Sequence, residues 1–158
     1  MESGNFYFIK DEYYETFNDP YLMRGHGDAN DRPCYYSFTD DNSPLIRWMI
    51  PISHQVNKFQ HIYNHKINRY GSCDTIVFGD VLGQRRAFLI QNMCPVTDEY
   101  IDTVYINHGH IVTLDGRLKR DLSIKSRKVL AIQECNEHAH IIFPNIFRIK
   151  NELLLHHI

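Results

Sequence analysis

The chain has no long hydrophobic run. No apolar stretch approaches the roughly 18 residues that a membrane helix needs, which excludes a helical membrane span. The opening Met1-Glu2-Ser3-Gly4-Asn5 lacks the basic-then-apolar order of a secretory leader, so a cytoplasmic protein is expected. Cysteine is scarce and scattered. Cys34, Cys73, Cys94 and Cys135 form no CxxC pair, which argues against a disulfide framework; buried free thiols are expected. HExxH, GxSxG, Walker A and the dinucleotide glycine fingerprint are all missing. Ser53 precedes His54, but adjacent residues do not make a catalytic triad, so a serine hydrolase is disfavoured. His108-Gly109-His110 and His138-Ala139-His140 lack a supporting ligand cluster. On a helix, residues two apart point away from each other. No metal or cofactor is expected.

What is present fits one soluble domain with a real core. A net charge of −2 argues against a uniformly basic nucleic-acid binder, but the charge is unevenly spread. Residues 1–44 carry nine acids and three bases; residues 45–158 carry ten acids and fourteen bases. A polyanion responds to the local field, so a basic face can exist on a neutral protein. Tyrosine and histidine are both abundant. Both can stack on unpaired bases, and both also fill cores.

Along the chain, Asn5–Lys10 reads as a short aromatic strand. Asp11 can cap a helix through Phe17, which Asn18-Asp19-Pro20 breaks. Tyr21 to Arg32 is polar, Gly-rich and aperiodic, hence a loop. Pro33–Phe38 returns to strand. Thr75–Gly79 and Arg86–Gln91 form strands across the turn Asp80–Gln84, and Asn92–Val96 ends the sheet in an apolar run with a proline. Thr97 to Ile106 reads as a short helix. A long helix begins at or near Asp115, with Leu118, Leu122, Val129, Ile132 and Cys135 on an apolar stripe, and a terminal helix covers Asn145 to His156. Strands first and helices last point to an α+β fold with a twisted antiparallel sheet or partly open barrel.

The most informative segment is Leu45–Lys58. Arg47–Ile52 is apolar and β-branched enough for a buried strand, and Pro51 weakens pairing near its end. Ser53 is placed to cap the helix that follows, read as His54 to Tyr63. Its hydroxyl and the free N–H groups of the next turn would then face one space, a seat for an anion such as phosphate. Lys58 adds a full charge, and Lys58, His61 and His65 share a helix face. Two other basic elements stand out. One is Arg32, just before a strand. The other is Gly116–Lys128, with Arg117, Lys119, Arg120, Lys125, Arg127 and Lys128 against the single acid Asp121. Such a segment either binds phosphates without sequence preference or is simply a solvated face.

Metal-free chemistry with Ser, Lys, Arg, His and Tyr around a helix N-terminus fits RNA transesterification. The RNA supplies its own nucleophile, the 2′-OH. The protein supplies a proton acceptor, positive charge for the phosphorane and a donor for the leaving 5′ oxygen. The products are a 2′,3′-cyclic phosphate and a 5′-hydroxyl.

Four motifs carry a family resemblance: Phe6-Tyr7-Phe8-Ile9 followed by Asp11-Glu12-Tyr13-Tyr14; Arg32-Pro33-Cys34-Tyr35; Trp48-Met49-Ile50-Pro51-Ile52-Ser53-His54-Gln55; and Ala87 to Val96, ending Asn92-Met93-Cys94-Pro95-Val96. The chain resembles the ToxN/AbiQ endoribonuclease toxins of type III toxin–antitoxin systems, and looks closest to their CptN branch. The resemblance implies an α+β fold with a strongly twisted antiparallel sheet, similar to the MazF/Kid toxins, surrounded by helices. It implies metal-independent RNA cleavage. The implied partners are a small structured repeat antitoxin RNA, a cellular RNA substrate and a closed toxin–RNA hetero-oligomer. The family serine matches Ser53, and its basic residue before the second strand matches Arg32. Many relatives carry Thr-Ser where this chain has Ile52-Ser53. Lys58 and His54 join Ser53 and Arg32 as candidate catalytic residues on the residue-level argument. Tyr21, Tyr35 or Tyr63 could supply a site tyrosine. A non-catalytic RNA-binding module and a plain interaction domain remain alternatives.

Overall fold

The computed structural model describes residues 1–24 and 32–157. In chain order the elements are β1 (Phe6–Ile9), α1 (Asp11–Phe17), β2 (Cys34–Thr39), β3 (Arg47–Ser53), α2 (Val56–Tyr70), β4 (Ile76–Val81), β5 (Gln84–Leu89), β6 (Cys94–Val96), β7 (Ile101–Val104), β8 (Ile106–Asn107), β9 (His110–Ile111), α3 (Gly116–Cys135) and α4 (Ile146–Leu155). The main sheet runs β4-β5-β3-β2-β1-β7, with β6 also paired to β3. Every recorded pair is antiparallel. Among the described residues β4 and β7 are left as edges, so this α+β sheet does not close into a barrel.

β3 is the hub. Arg47–Pro51 pair with β2 on one side. On the other, Arg47–Met49 pair with β6, and Ile52 and Ser53 pair with β5. The β2 pairing stops at Pro51, whose ring removes a ladder donor. Residues two apart on a strand share a face. Ile76, Phe78, Ala87 and Leu89 therefore meet Phe59, Ile62, Tyr63 and Ile67 of α2. The intervening Val77, Val81 and Phe88 join the main core with Leu118 and Leu122 of α3. Gly79 lies on that second face, and a Cβ there would overlap the Leu118 methyls. The hairpin between β4 and β5 turns on Leu82 and Gly83, both with positive φ, as a tight two-residue connection demands.

Asp40 ties the sheet to the C-terminal helix. Its Oδ2 accepts from Trp48 Nε1 at 2.9 Å and from Lys150 Nζ of α4 at 3.0 Å. Its Oδ1 accepts from the Asn42 and Ser43 amides at 3.0 Å. Burial alone would raise this carboxyl; the Trp48 and Lys150 hydrogen bonds and the Asn42 amide reverse that and hold it below the ordinary range.

Several expectations are corrected. Thr97–Ile106 is not a helix: a 3-10 turn at Asp98–Tyr100 leads into β7, as Ile101, Thr103 and Val104 are β-branched and complete the β1 ladder. α2 runs on to Tyr70, held by Ile62, Tyr63 and Ile67 over the β4–β5 sheet, and it starts at Val56 rather than His54. α1 begins at Asp11 with Lys10 in the cap position and no side-chain cap. The α3 stripe passes through Ser126 and Gln133, while Ile132 and Cys135 lie in solvent. Cys34, Cys73 and Cys94 are buried free thiols as expected; Cys135 is exposed. Most of the Gly-rich loop expected at 21–32 lies outside the described residues.

Replacing Asp40 by Ala leaves the Trp48 N–H and the Lys150 charge without their partner. Stability should fall by about 2–4 kcal/mol, read by urea unfolding. The sign with pH follows from the depressed carboxyl. Its contribution is full above the unfolded carboxylate pKa and is lost as pH falls through the lower folded value. Asp40→Asn should flatten that acid limb, and an unchanged limb would show that the carboxylate charge contributes nothing.

Candidate functional site

Ser53 ends β3 at the point where the sheet gives way to α2. It is only 3% exposed, and it does not cap the helix. Its Oγ accepts from the Gln55 amide at 3.1 Å, a local turn that runs directly up to the helix. Gln55 stands in the cap position without a side-chain hydrogen bond, and the first turn of α2 contains no acid. The Val56 amide is used by the His54 carbonyl, and the Phe59 amide by Gln55. The Asn57 and Lys58 amides have no recorded partner among the described residues. This is an uncapped N-terminus of a fifteen-residue helix, a setting that attracts anions. Since Ser53 accepts from Gln55, its own O–H remains free to donate.

The other expected residues fall into three groups. His54, Lys58, His61 and His65 are exposed on and before α2, and the Lys58 ammonium lies 5.3 Å from the centre of the Phe59 ring. Arg32 lies two residues before Cys34, and Ser53 lies two residues after Pro51. Cys34 and Pro51 are themselves paired, so Arg32 and Ser53 leave the β2–β3 ladder from the same end. The 117–128 segment lies on α3 and is divided. Lys125 pairs with Asp121 at 3.3 Å, Arg127 with Asp41 at 3.2 Å and Lys128 with Asp74 at 2.6 Å. Arg127 also stacks on Phe38. Arg117, Lys119 and Arg120 have no ion-pair partner recorded among the described residues.

The phenol and thiols near the start of β2 are held neutral by burial. Burial pushes the Tyr14 hydroxyl and the Cys34 thiol far up, with Cys94 acting in the same direction and Arg32 pulling both back. Burial pushes the Cys94 thiol up to about 12. These groups stay neutral at physiological pH. Tyr14 can therefore donate a hydrogen bond but cannot serve as a base. Arg24 lies 5.9 Å from the centre of the Tyr14 ring and bridges to Asp11 and Glu15. The Arg32 charge opposes the rise of the Tyr14 hydroxyl, and Tyr14 is a tyrosine that sequence reasoning did not single out. Of the tyrosines it considered, Tyr35 is buried in the core beside Phe6, Tyr63 packs on Phe78, and Tyr21 is exposed beside Phe143. Lys66 was also missed. It is half-buried and donates to Thr75 Oγ1 at 2.8 Å and Gln91 Oε1 at 3.1 Å, and burial lowers its pKa. Among the described residues, no group of three or more His, Cys, Asp or Glu side chains could hold a metal ion. Among the described residues, no helix is long and apolar enough to cross a membrane.

No protein-family profile and no curated protein matches the chain. A solved structure does: AbiQ, a lactococcal anti-phage endoribonuclease belonging to the type-III toxin-antitoxin system. The two superpose with a TM-score of 0.74 over 98% of each chain, at 12% sequence identity. At that identity the likeness establishes the α+β fold that the two chains share.

An open helix N-terminus has a measurable signature. Lys58→Glu places an acid in the first turn of α2, which should stabilise the fold by about 0.3–1 kcal/mol in urea unfolding. A loss of stability would show that the amides at this terminus are already satisfied.

Proposed function

We propose that this protein is a metal-independent endoribonuclease toxin of a type III toxin–antitoxin system. The observation that carries the reading is the end-to-end sharing of AbiQ's fold. The four sequence motifs support it independently, and they favour the CptN branch. In this reading the scissile phosphate docks at the N-terminus of α2. The Asn57 and Lys58 amides and the Lys58 ammonium face its oxygens, and Ser53 donates its O–H to a phosphate oxygen or to the 2′-OH. Arg32 balances the charge of the pentacoordinate phosphorane. His54, exposed beside Ser53, passes a proton to the leaving 5′ oxygen. The 2′-OH gives up its proton to solvent water and its oxygen forms a bond to phosphorus as the P–O5′ bond breaks, leaving a 2′,3′-cyclic phosphate and a 5′-hydroxyl. The enzyme is held in check by a small structured repeat RNA, which it processes and with which it forms a closed assembly. The basic residues of α3, together with His61 and His65, contribute to holding RNA.

One observation favours a second reading. Ser53 is buried and occupied by Gln55, as a purely structural turn serine would be. The protein would then be an RNA-binding module without chemistry.

RNA-free protein, incubated with RNA in EDTA, separates the two. The enzyme reading expects cleavage with 2′,3′-cyclic ends and a loss of about 100-fold or more in Ser53→Ala, in line with the removal of one transition-state donor. Cleavage by Ser53→Ala at the wild-type rate removes Ser53 from the mechanism, and RNA binding without cleavage establishes the second reading.

A further inference from the structure

The free edge of β4 and the N-terminal half of α3 enclose a groove of about 560 Å³. Its lining includes Phe78, Asp80 and Arg85 from the hairpin and Arg117, Arg120 and Asp121 from α3. We propose that this groove reads an unpaired guanine of a bound RNA strand. The inference rests on the reading of the protein as one that acts on RNA, and it adds a base preference at a second place.

Four observations support it. The Arg85 guanidinium lies over the Phe78 ring, 4.8 Å from its centre, which places a cation and an aromatic face, both groups on which a base can stack, side by side. Arg85, Arg117 and Arg120 have no ion pair recorded among the described residues, although Asp80 stands directly across the ladder from Arg85. β4 is an edge strand, so alternate backbone N–H and C=O groups point away from β5 into the groove. Gly79 lets α3 approach so closely that the Leu118 methyls occupy the space of a side chain, which sets the depth of the floor.

The mixture of charges selects the ligand. Three arginines alone would suit a phosphate backbone of any sequence. Here guanidinium and carboxylate groups line the same groove. Guanine is the base that offers a two-acceptor edge, O6 and N7, for an arginine and a two-donor edge, N1–H and N2–H, for a carboxylate. Adenine presents a donor where guanine has O6, and it lacks the N2 amine. Asp121 is engaged with Lys125, and Asp115 caps α3 through the Leu118 amide, which leaves Asp80 as the carboxylate of this lining without a partner among the described residues. The groove also lies close to the proposed cleavage site. Ser53 is level with Ala87, and Ala87 with Phe78, so the three stand in one row across β3, β5 and β4. Two strand spacings make that about 10 Å, a separation that one short stretch of single-stranded RNA bridges.

Labelled 2′-O-methyl heptamers, uridine except for a central guanine, adenine or inosine, test this without cleavage, because the 2′ nucleophile is blocked. Fluorescence anisotropy at low salt should show the guanine oligomer binding about tenfold or more tighter than the adenine one, the ratio one bidentate pair supplies. Inosine, lacking the N2 amine, should fall between. Arg85→Ala and Asp80→Asn, both at exposed positions, should each erase much of the preference while leaving the far-UV circular dichroism unchanged. Equal affinity for guanine and adenine oligomers overturns the proposal, as does a guanine preference that survives in the Arg85→Ala/Asp80→Asn double variant. The same preparations are assayed for EDTA-resistant cleavage of unmodified RNA. Cleavage without base preference refutes the groove and leaves the nuclease standing. Guanine preference without cleavage supports the groove and refutes the nuclease.

Discussion

β3 has to satisfy its backbone on both sides while changing partners along its length, and the rest of the molecule is arranged around that requirement. One side is served by β2 up to Pro51. The other is served first by β6 and then by β5. A proline in a central strand is usually a defect, since it offers no ladder donor. Here it marks the place where pairing with β2 ends and the chain begins its exit toward α2. Ser53 is fixed in position by its pairing with Ala87, not by the helix that follows. The burial of Ser53 and the open terminus of α2 are both consequences of this one transfer.

The two faces of the β4–β5 hairpin divide the labour. One receives α2 through Ile76, Phe78, Ala87 and Leu89; the other receives α3 through Val77, Gly79 and Val81. The edge strand between the two helices is therefore walled but not covered. On α3, the basic side chains nearer its C-terminal end are drawn into local ion pairs with Asp41, Asp74 and Asp121, while Arg117 and Arg120 reach the groove. A continuous basic run in the sequence thus becomes two surfaces with different electrostatics.

Much of this was legible in the residues. The α1 span, the β3 strand, the hairpin around Leu82-Gly83 and the Asp115 and Asn145 ends of the last two helices follow from local chemistry. The failures have a common cause. β7 forms because β1 presents an open ladder ninety-odd positions earlier in the chain, a fact that no local window contains. The length of α2 is set by the hydrophobic face of a hairpin not yet made when that helix is read. Tyr14 meets Cys34 only because α1 folds back beside the start of β2, and the groove depends on the register that sets Asp80 against Arg85. Ser53, Arg32, His54 and Lys58 could be singled out because they sit at a strand end or in one helical turn; groups assembled across the sheet could not.

The pairing of Tyr7 with Val104 also bears on synthesis. β1 leaves a ribosome about 100 residues ahead of its partner β7, which at ordinary elongation rates is roughly 5–20 s. Lys150, which completes the Asp40 junction, emerges later still. Throughout that interval the nascent chain carries an aromatic strand with one side unpaired and a core without its closing helix. Any species able to shield that strand during translation would govern how much of this protein matures.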